Sequence, residues 1–305
     1  MTLKKQTYCV LESDKGRVDI LVARLLGFSR ARVRGLMDHE GVTLNGTECL
    51  DYGAQVKAQD VLGLIYDPER KYREKPAERK THGFSLVFCD EHLAVVNKEA
   101  GILTVPTDRR EKNSLVDLLS THLASGQSRG PKVSLVHRLD RDTSGLLVFG
   151  QRPAIAEDLI RQFSARKPER EYYAIVAGKL AQDQGTIRSF LQTDKALNQK
   201  SSTRGELAIT HYRVITRYPD SSLVAVNLET GRRNQIRVHF AEMGHPILGD
   251  ERYEKDRAFH PDWPYKRLAL HARMLGFNHP VTRRELRFEA EVPEEFKRFS
   301  RRFGN

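Results

Sequence analysis

Apolar positions in this chain fall into short runs, and the period of the runs changes along its length. Near the N-terminus, Ile20, Leu21, Ala23 and Leu25 recur at helical spacing, and Gly27 stands where a helix would stop. Ser29 is placed to cap a second helix with Val33, Leu36 and Met37 as its buried stripe. Residues 41–46 read as a strand entering a tight Asn45-Gly46 turn, and Val56 and residues 61–65 as further short strands. Together, residues 8–66 form one small predicted unit. Residues 67–83 mix both charge signs with two prolines and lack apolar periodicity, so they read as a linker.

A larger pattern follows over residues 84–299. Strands are expected at 85–89 and 93–97 around a turn at 90–92, then a helix on Leu115, Leu118, Leu119 and Leu123, then a loop at 125–132. Leu146, Leu147, Val148 and Phe149 read as a buried strand. A dense polar cluster precedes it: His137, Arg138, Asp140, Arg141, Asp142, Thr143 and Ser144. A helix is expected over 154–165. Residues 171–178 are apolar on both faces and should form a central strand. Residues 185–205 suggest a hairpin excursion, and 211–218 and 222–230 a strand pair turning at 219–221. Ile236, Phe240 and Met243 repeat at helical spacing before a stop at Gly244. Strands close the unit, and the basic residues 300–305 are expected to fray. The class is α+β.

Charge narrows the partners. The 305 residues carry a formal net charge of +11, which favours a polyanionic partner. Three widely spaced cysteines, Cys9, Cys49 and Cys89, fit neither a disulfide framework nor a structural zinc site, and a reducing cytoplasm is the simplest home. No signal peptide and no membrane-length apolar run is evident. Neither a metal nor an organic cofactor is expected, and no obligatory protein partner is evident; a monomer is the expectation.

Several strings together resemble known families. Residues 17–46 resemble the S4 RNA-binding domain through Arg17 and Asp19, Ser29-Arg30 and the stretch Gly41-Val42-Thr43-Leu44-Asn45-Gly46. The cationic helix start, with Arg30, Arg32 and Arg34, suits phosphate; Arg17, Ser29 and Asn45 complete the expected RNA-binding set. The string HRLDRDTSGLLVF from His137 resembles the active-site motif of the large-subunit type A family of RNA pseudouridine synthases. Arg170, Tyr172, Ala174, Val176 and Gly178 match a second motif of that family. LETGRRNQIRVHFAEMGHPILGD matches a third, with Asn234 where the family usually has His. The ending LALHARMLGFNHP matches a fourth.

The resemblance implies a catalytic domain built on a mixed, mostly antiparallel sheet flanked by helices and loops. It implies Asp140 as the catalytic carboxylate, Tyr172 as the aromatic under the target base and Arg237 as the counter-charge. Arg138, His137, Ile236 and Arg232 are the expected substrate contacts. The expected substrate is large-subunit ribosomal RNA, with transfer RNA as the alternative. A single carboxylate among arginines suits a nucleophile or base, whereas ordinary glycoside hydrolysis needs two carboxyl groups. Two rivals remain at this stage: an RNA-binding protein without catalysis, and a hydrolase of the nucleoside bond.

Overall fold

The computed structural model describes residues 3–49, 51–70, 72, 83–107, 113–124, 133–194 and 198–304. The chain divides into two units, Met1–Arg79 and Lys80–Asn305. Most of the expected linker (71 and 73–82) and the expected loop at 125–132 lie outside the described residues.

The first unit contains β1 (Lys4–Cys9), β2 (Gly16–Arg17), α1 (Val18–Leu26), α2 (Arg30–Asp38), β3 (Val42–Leu44), β4 (Thr47–Glu48), β5 (Gln55–Val56) and β6 (Val61–Tyr66). Gly27 ends α1 in the left-handed conformation, and the Ser29 hydroxyl accepts from the Arg32 amide at the start of α2. Val18, Leu21, Val22, Val33, Leu36 and Met37 bury the helices against Val42, Leu62 and Leu64 of the sheet β1-β6-β3-β4. Asn45 and Gly46 both have positive φ, as a tight hairpin turn requires.

The second unit contains β7 (Phe84–Cys89), β8 (Leu93–Lys98), α3 (Leu115–Leu123), β9 (Ser134–Leu135), β10 (Ser144–Gly150), α4 (Pro153–Ser164), β11 (Glu169–Ala177), β12 (Gln184–Thr193), β13 (Gln199–Ser201), β14 (Glu206–Arg217), β15 (Ser221–Leu228), α5 (Gln235–Glu242), α6 (Lys255–Ala258), β16 (Leu270–Asn278), β17 (Glu285–Glu289) and α7 (Glu294–Arg302). The main path of its sheet runs β13-β12-β14-β15-β11-β16-β10-β8-β7, with β9 on β10 and β17 on β16. The architecture is α+β, and the sheet is antiparallel except where β10 meets β16. Alternation along β8 and β10 divides their side chains between two cores. Ala94, Val96, Leu147 and Phe149 join one cluster, and Leu93, Val95, Leu146 and Val148 join another that includes Leu159 of α4. Both faces are covered, which is why these strands read as unbroken apolar runs.

Gly145 makes the parallel pairing possible. Its φ is +120°, and a Cβ there would lie 2.2 Å from the Ala272 carbonyl oxygen. Two expectations are corrected. Met243 is 37% exposed; α5 is instead buried nearly all round, through Ile236, Val238, His239, Phe240 and Ala241. Residues 300–302 of the tail expected to fray are helical, because α7 runs to Arg302, and Asn305 lies outside the described residues. Phe296, Phe299 and Phe303 form an apolar stripe within its charged run, Phe303 packs 5.2 Å from Tyr218, and the Tyr218 hydroxyl bonds Ser300 at 2.6 Å. No helix among the described residues is long and apolar enough to cross a membrane.

Candidate active site

The polar cluster before β10 is a clamped loop. The Thr104 hydroxyl donates to the Leu139 carbonyl at 2.8 Å and accepts from the Leu139 amide at 3.2 Å. The Arg141 carbonyl accepts from Lys98 Nζ at 2.8 Å and from the Gly101 amide at 2.9 Å. Both neighbours of Asp140 are therefore pinned to the segment after β8, and the carboxylate is presented from a fixed backbone. Lys98 is 1% exposed, and burial pushes its ammonium down to about 7.

Asp140 keeps 24% of its side chain exposed and accepts from Arg237 Nη1 at 3.0 Å. The rest of that guanidinium is taken by Asp250, which accepts from Nε at 2.7 Å and from Nη2 at 2.8 Å. The Asp250 carboxylate is fully buried. Burial alone would lower the Arg237 pKa, but the carboxylates of Asp250 and Asp140 outweigh it and raise it. Arg237 is thus a permanent cation held in one geometry. Asn234 also faces Asp140. With its amide nitrogen turned to the carboxylate, Nδ2 donates to both oxygens at 3.0 Å and Oδ1 accepts from the Tyr253 hydroxyl at 3.0 Å. The opposite orientation would set the amide oxygen against the carboxylate.

Tyr172 reaches the same place from β11. An irregularity between Glu171 and Tyr172 in the pairing with β16 leaves Tyr172 beside Ala272. Tyr172 is 7% exposed, and burial raises its hydroxyl pKa, so it stays protonated at neutral pH. Tyr173 points away, with the Arg273 guanidinium 5.0 Å from its ring. Tyr172, Asp140, Ile236, Arg237 and Leu270 line a recess of about 60 Å³. The recess opens into a cleft of about 380 Å³ bounded by Arg138, Phe163, Arg170 and Arg232. Arg138 is exposed at this opening and has no ion-pair partner among the described residues. Arg232 is committed in part, to Glu206 at 2.7 Å and to the Leu207 carbonyl at 3.2 Å. A cleft of about 720 Å³ lined by Lys98, Ser144, Arg267 and His271 is larger, but Asp140, Tyr172 and Arg237 do not line it. Convergence of chemistry, not size, selects the recess.

His137 sits behind the loop. Its Nε2 accepts from the Val148 amide at 3.1 Å, its ring stacks on Phe163 at 4.6 Å, and burial pushes its pKa down to about 3. The ring is therefore neutral and supports the loop, although one edge borders the cleft. Asp142 does not line the recess, and burial raises its carboxyl pKa. Among the described residues no group of three or more His, Cys, Asp or Glu side chains is arranged to hold a metal.

In the first unit the arginines gather round one buried carboxylate. Asp19 accepts from Arg17 at 3.0 and 3.1 Å and from Arg30 at 3.0 Å, and Arg34 lies 3.8 Å away. Asp19 is fully buried and its pKa is lowered: burial opposes this, but the Arg17 and Arg30 bonds prevail. Arg32 stacks 3.6 Å over Phe28 and donates to the Arg70 carbonyl at 3.0 Å. The Asn45 side chain closes its own turn, bonding the Val61 amide at 2.8 Å and Asp60 at 2.9 Å. Much of the sequence-predicted RNA-binding set thus also supports the fold.

Sequence reasoning missed Thr104, Lys98, Asp250 and Tyr253. Asp250 was in view, as the last residue of the matched string ending GHPILGD, but nothing local gives it a partner 13 residues back.

Comparison with known proteins finds relatives for both units. A family model described as RNA pseudouridylate synthase matches residues 92–242, and an S4 domain model matches residues 16–62. A Zymomonas mobilis protein named ribosomal large subunit pseudouridine synthase D is 35% identical over 295 residues, spanning 92% of each chain. An uncharacterized RNA pseudouridine synthase of Bacillus subtilis is 38% identical over 289 residues, spanning 93% of each. The solved human RNA pseudouridylate synthase domain containing 4 superposes with a TM-score of 0.59 at 23% identity, covering 72% of this chain and 92% of that one.

Proposed function

Because the chain belongs to the RNA pseudouridine synthase family and joins that isomerase domain to an S4 RNA-binding domain, we propose that Asp140 is its catalytic carboxylate and large-subunit ribosomal RNA its substrate. The observation that carries the first half is the Asp140–Arg237 pair, 3.0 Å apart in a recess walled by Tyr172. The second half rests on the name of the Zymomonas mobilis relative, similar over almost the whole chain.

The recess is too small for a nucleotide in a helix to enter stacked, so the target uridine leaves its stack first. Arg138, exposed at the cleft, takes the space the base vacates. Tyr172 then stacks on the uracil, and Asp140 initiates cleavage of the C1′–N1 bond. The uracil turns within the recess, C5 bonds to C1′, and the proton lost from C5 is balanced by the proton gained at N1. Composition is unchanged and no cofactor is consumed. Arg237 keeps Asp140 aimed. The Tyr172 hydroxyl, which makes no hydrogen bond among the described residues, is free to assist the late proton transfer. One carboxylate with a fixed cation supports isomerisation, since hydrolysis by the ordinary glycosidase route would need a second carboxyl group across the bond.

The test is the full chain with a large-subunit ribosomal RNA transcript, followed by chemical mapping of pseudouridine. Asp140→Ala is expected to abolish product while RNA affinity stays within about threefold, the effect of removing the initiating group alone. Retained activity would overturn the role of Asp140. Free uracil with an abasic site would overturn isomerisation, and modification confined to transfer RNA would overturn the ribosomal assignment.

A further inference from the structure

Asn234 is where this chain departs from its family's usual histidine, and its surroundings give the departure a consequence. The residue precedes α5 with φ +52°, a left-handed backbone that asparagine tolerates better than most residues. It is 8% exposed, so a misdirected amide could not turn to water for compensation. Its side chain lies between the Asp140 carboxylate and the Tyr253 hydroxyl. The Tyr253 oxygen also accepts from the Gln199 backbone amide at 3.0 Å. A backbone N–H can only donate, so the Tyr253 proton is left to be given elsewhere. The acceptor available to it at 3.0 Å is Asn234 Oδ1. Once Oδ1 accepts, geometry turns Nδ2 to Asp140.

We propose that Gln199, Tyr253 and Asn234 form a one-way hydrogen-bond relay that keeps a neutral amide donating to Asp140, with Asn234 and Tyr253 as positioning residues for the carboxylate. Direction enters at Gln199 N–H, passes through the Tyr253 hydroxyl and ends as two N–H contacts on Asp140. The relay complements Arg237. Arg237 reaches Oδ2 alone, and one contact to one oxygen leaves the carboxylate free to rotate. Asn234 touches both oxygens and removes that rotation. The Tyr253 ring lies 5.1 Å from the Arg237 guanidinium, so the same side chain underlies both groups that hold Asp140. Gln199 belongs to β13, at the end of the sheet path. The relay therefore ties the outermost hairpin of this unit to its reacting carboxylate.

The inference rests on Asp140 being the catalytic carboxylate, so its test has two separate readouts. The first is kinetic, on the full chain with a large-subunit ribosomal RNA transcript. Tyr253→Phe keeps the ring under Arg237 and removes the hydroxyl alone. It is expected to lower kcat by roughly 5- to 20-fold with KM within about twofold, as for loss of an interaction felt in the transition state. Asn234→Leu is expected to lose more, and Asn234→His to regain part of the loss by restoring a donor. The second readout is the Asn234 side-chain amide signal in nitrogen-15 NMR, assigned by its disappearance in Asn234→Leu. Its protons are expected to be protected from solvent exchange in the native protein, and to shift and exchange faster in both Tyr253→Phe and Asp140→Ala. An amide signal indifferent to both substitutions overturns the relay, whatever the activity. Wild-type kcat in both Tyr253→Phe and Asn234→Leu overturns it too. A fully active Asp140→Ala with a responsive amide signal overturns the catalytic assignment and leaves the hydrogen-bond geometry standing.

Discussion

Asp250 grips Arg237 at Nε and Nη2, 2.7 and 2.8 Å away, and thereby leaves Nη1 as the group that reaches Asp140. A buried carboxylate outside the recess thus decides how a cation meets the carboxylate proposed to act on the substrate. Asp250→Ala strands a guanidinium that is only 12% exposed. Breaking such a pair from one side costs about 3–5 kcal/mol, so urea unfolding should show a loss of that order. Activity should fall through kcat as Arg237 loses its aim. An Asp250→Ala protein of native stability and native kcat would show that Arg237 holds its position without this partner.

Two of the proposed roles fall on the single side chain of Tyr172, and substitution separates them. Tyr172→Phe keeps the aromatic wall of the recess and removes the hydroxyl. KM should stay within about twofold while kcat falls roughly 10- to 100-fold, within the range of a lost proton-transfer group. Tyr172→Ala removes the stacking face as well, so KM should rise, by the equivalent of about 1–3 kcal/mol. Steady-state kinetics on the ribosomal RNA transcript distinguishes the two; equal kcat losses with unchanged KM in both variants would deny the ring a stacking role.

Buried imidazoles give the catalytic unit a one-sided response to acid, and beside the two lowest, His239 is pushed by burial down to about 4. His137 and His271 each titrate near 6.5 in the unfolded chain, and burial holds both down to about 3 in the fold. Between those values the unfolded state binds more protons. Stability is therefore full above about pH 6.5 and is lost as pH falls toward 3. At pH 5 the loss should be on the order of 1–2 kcal/mol per histidine. Urea midpoints at pH 7.5 and pH 5 measure it, and His271→Asn should flatten the dependence by its share. A midpoint that does not move would mean that both rings charge within the fold.

What could be read from the sequence depended on range. Period-two alternation separates Tyr172 from Tyr173, and the register of the matched motif picks the inward one. The capping of α2 by Ser29 and the stop at Gly27 are likewise local signals. The Asp140–Arg237 pair spans 97 residues, and only the family resemblance, not any periodicity, joined the two. Asp250 and Tyr253 sit in an irregular stretch between α5 and α6, where no period marks a direction. The phenylalanine stripe of α7 was hidden because its helix is otherwise strongly charged. In the first unit the positive charge of Arg17, Arg30 and Arg34 was visible, but not the burial of Asp19 that recruits them. An acidic residue in the first turn of a helix ordinarily reads as a favourable dipole partner.

The meeting of β10 with β16 sets the order in which this enzyme can come to life. Ser144, which ends the Asp140 loop, bonds His271 across 127 residues, and Gly145 lies directly against Ala272. Neither contact can form until β16 has left the ribosome, and closing so long a loop is slow compared with local helix formation. A nascent chain can therefore complete its N-terminal RNA-binding unit while the Asp140 loop is still unsupported. A polypeptide truncated before β16 would keep the residues of its first unit but lose the His271 and Ala272 contacts of the Asp140 loop.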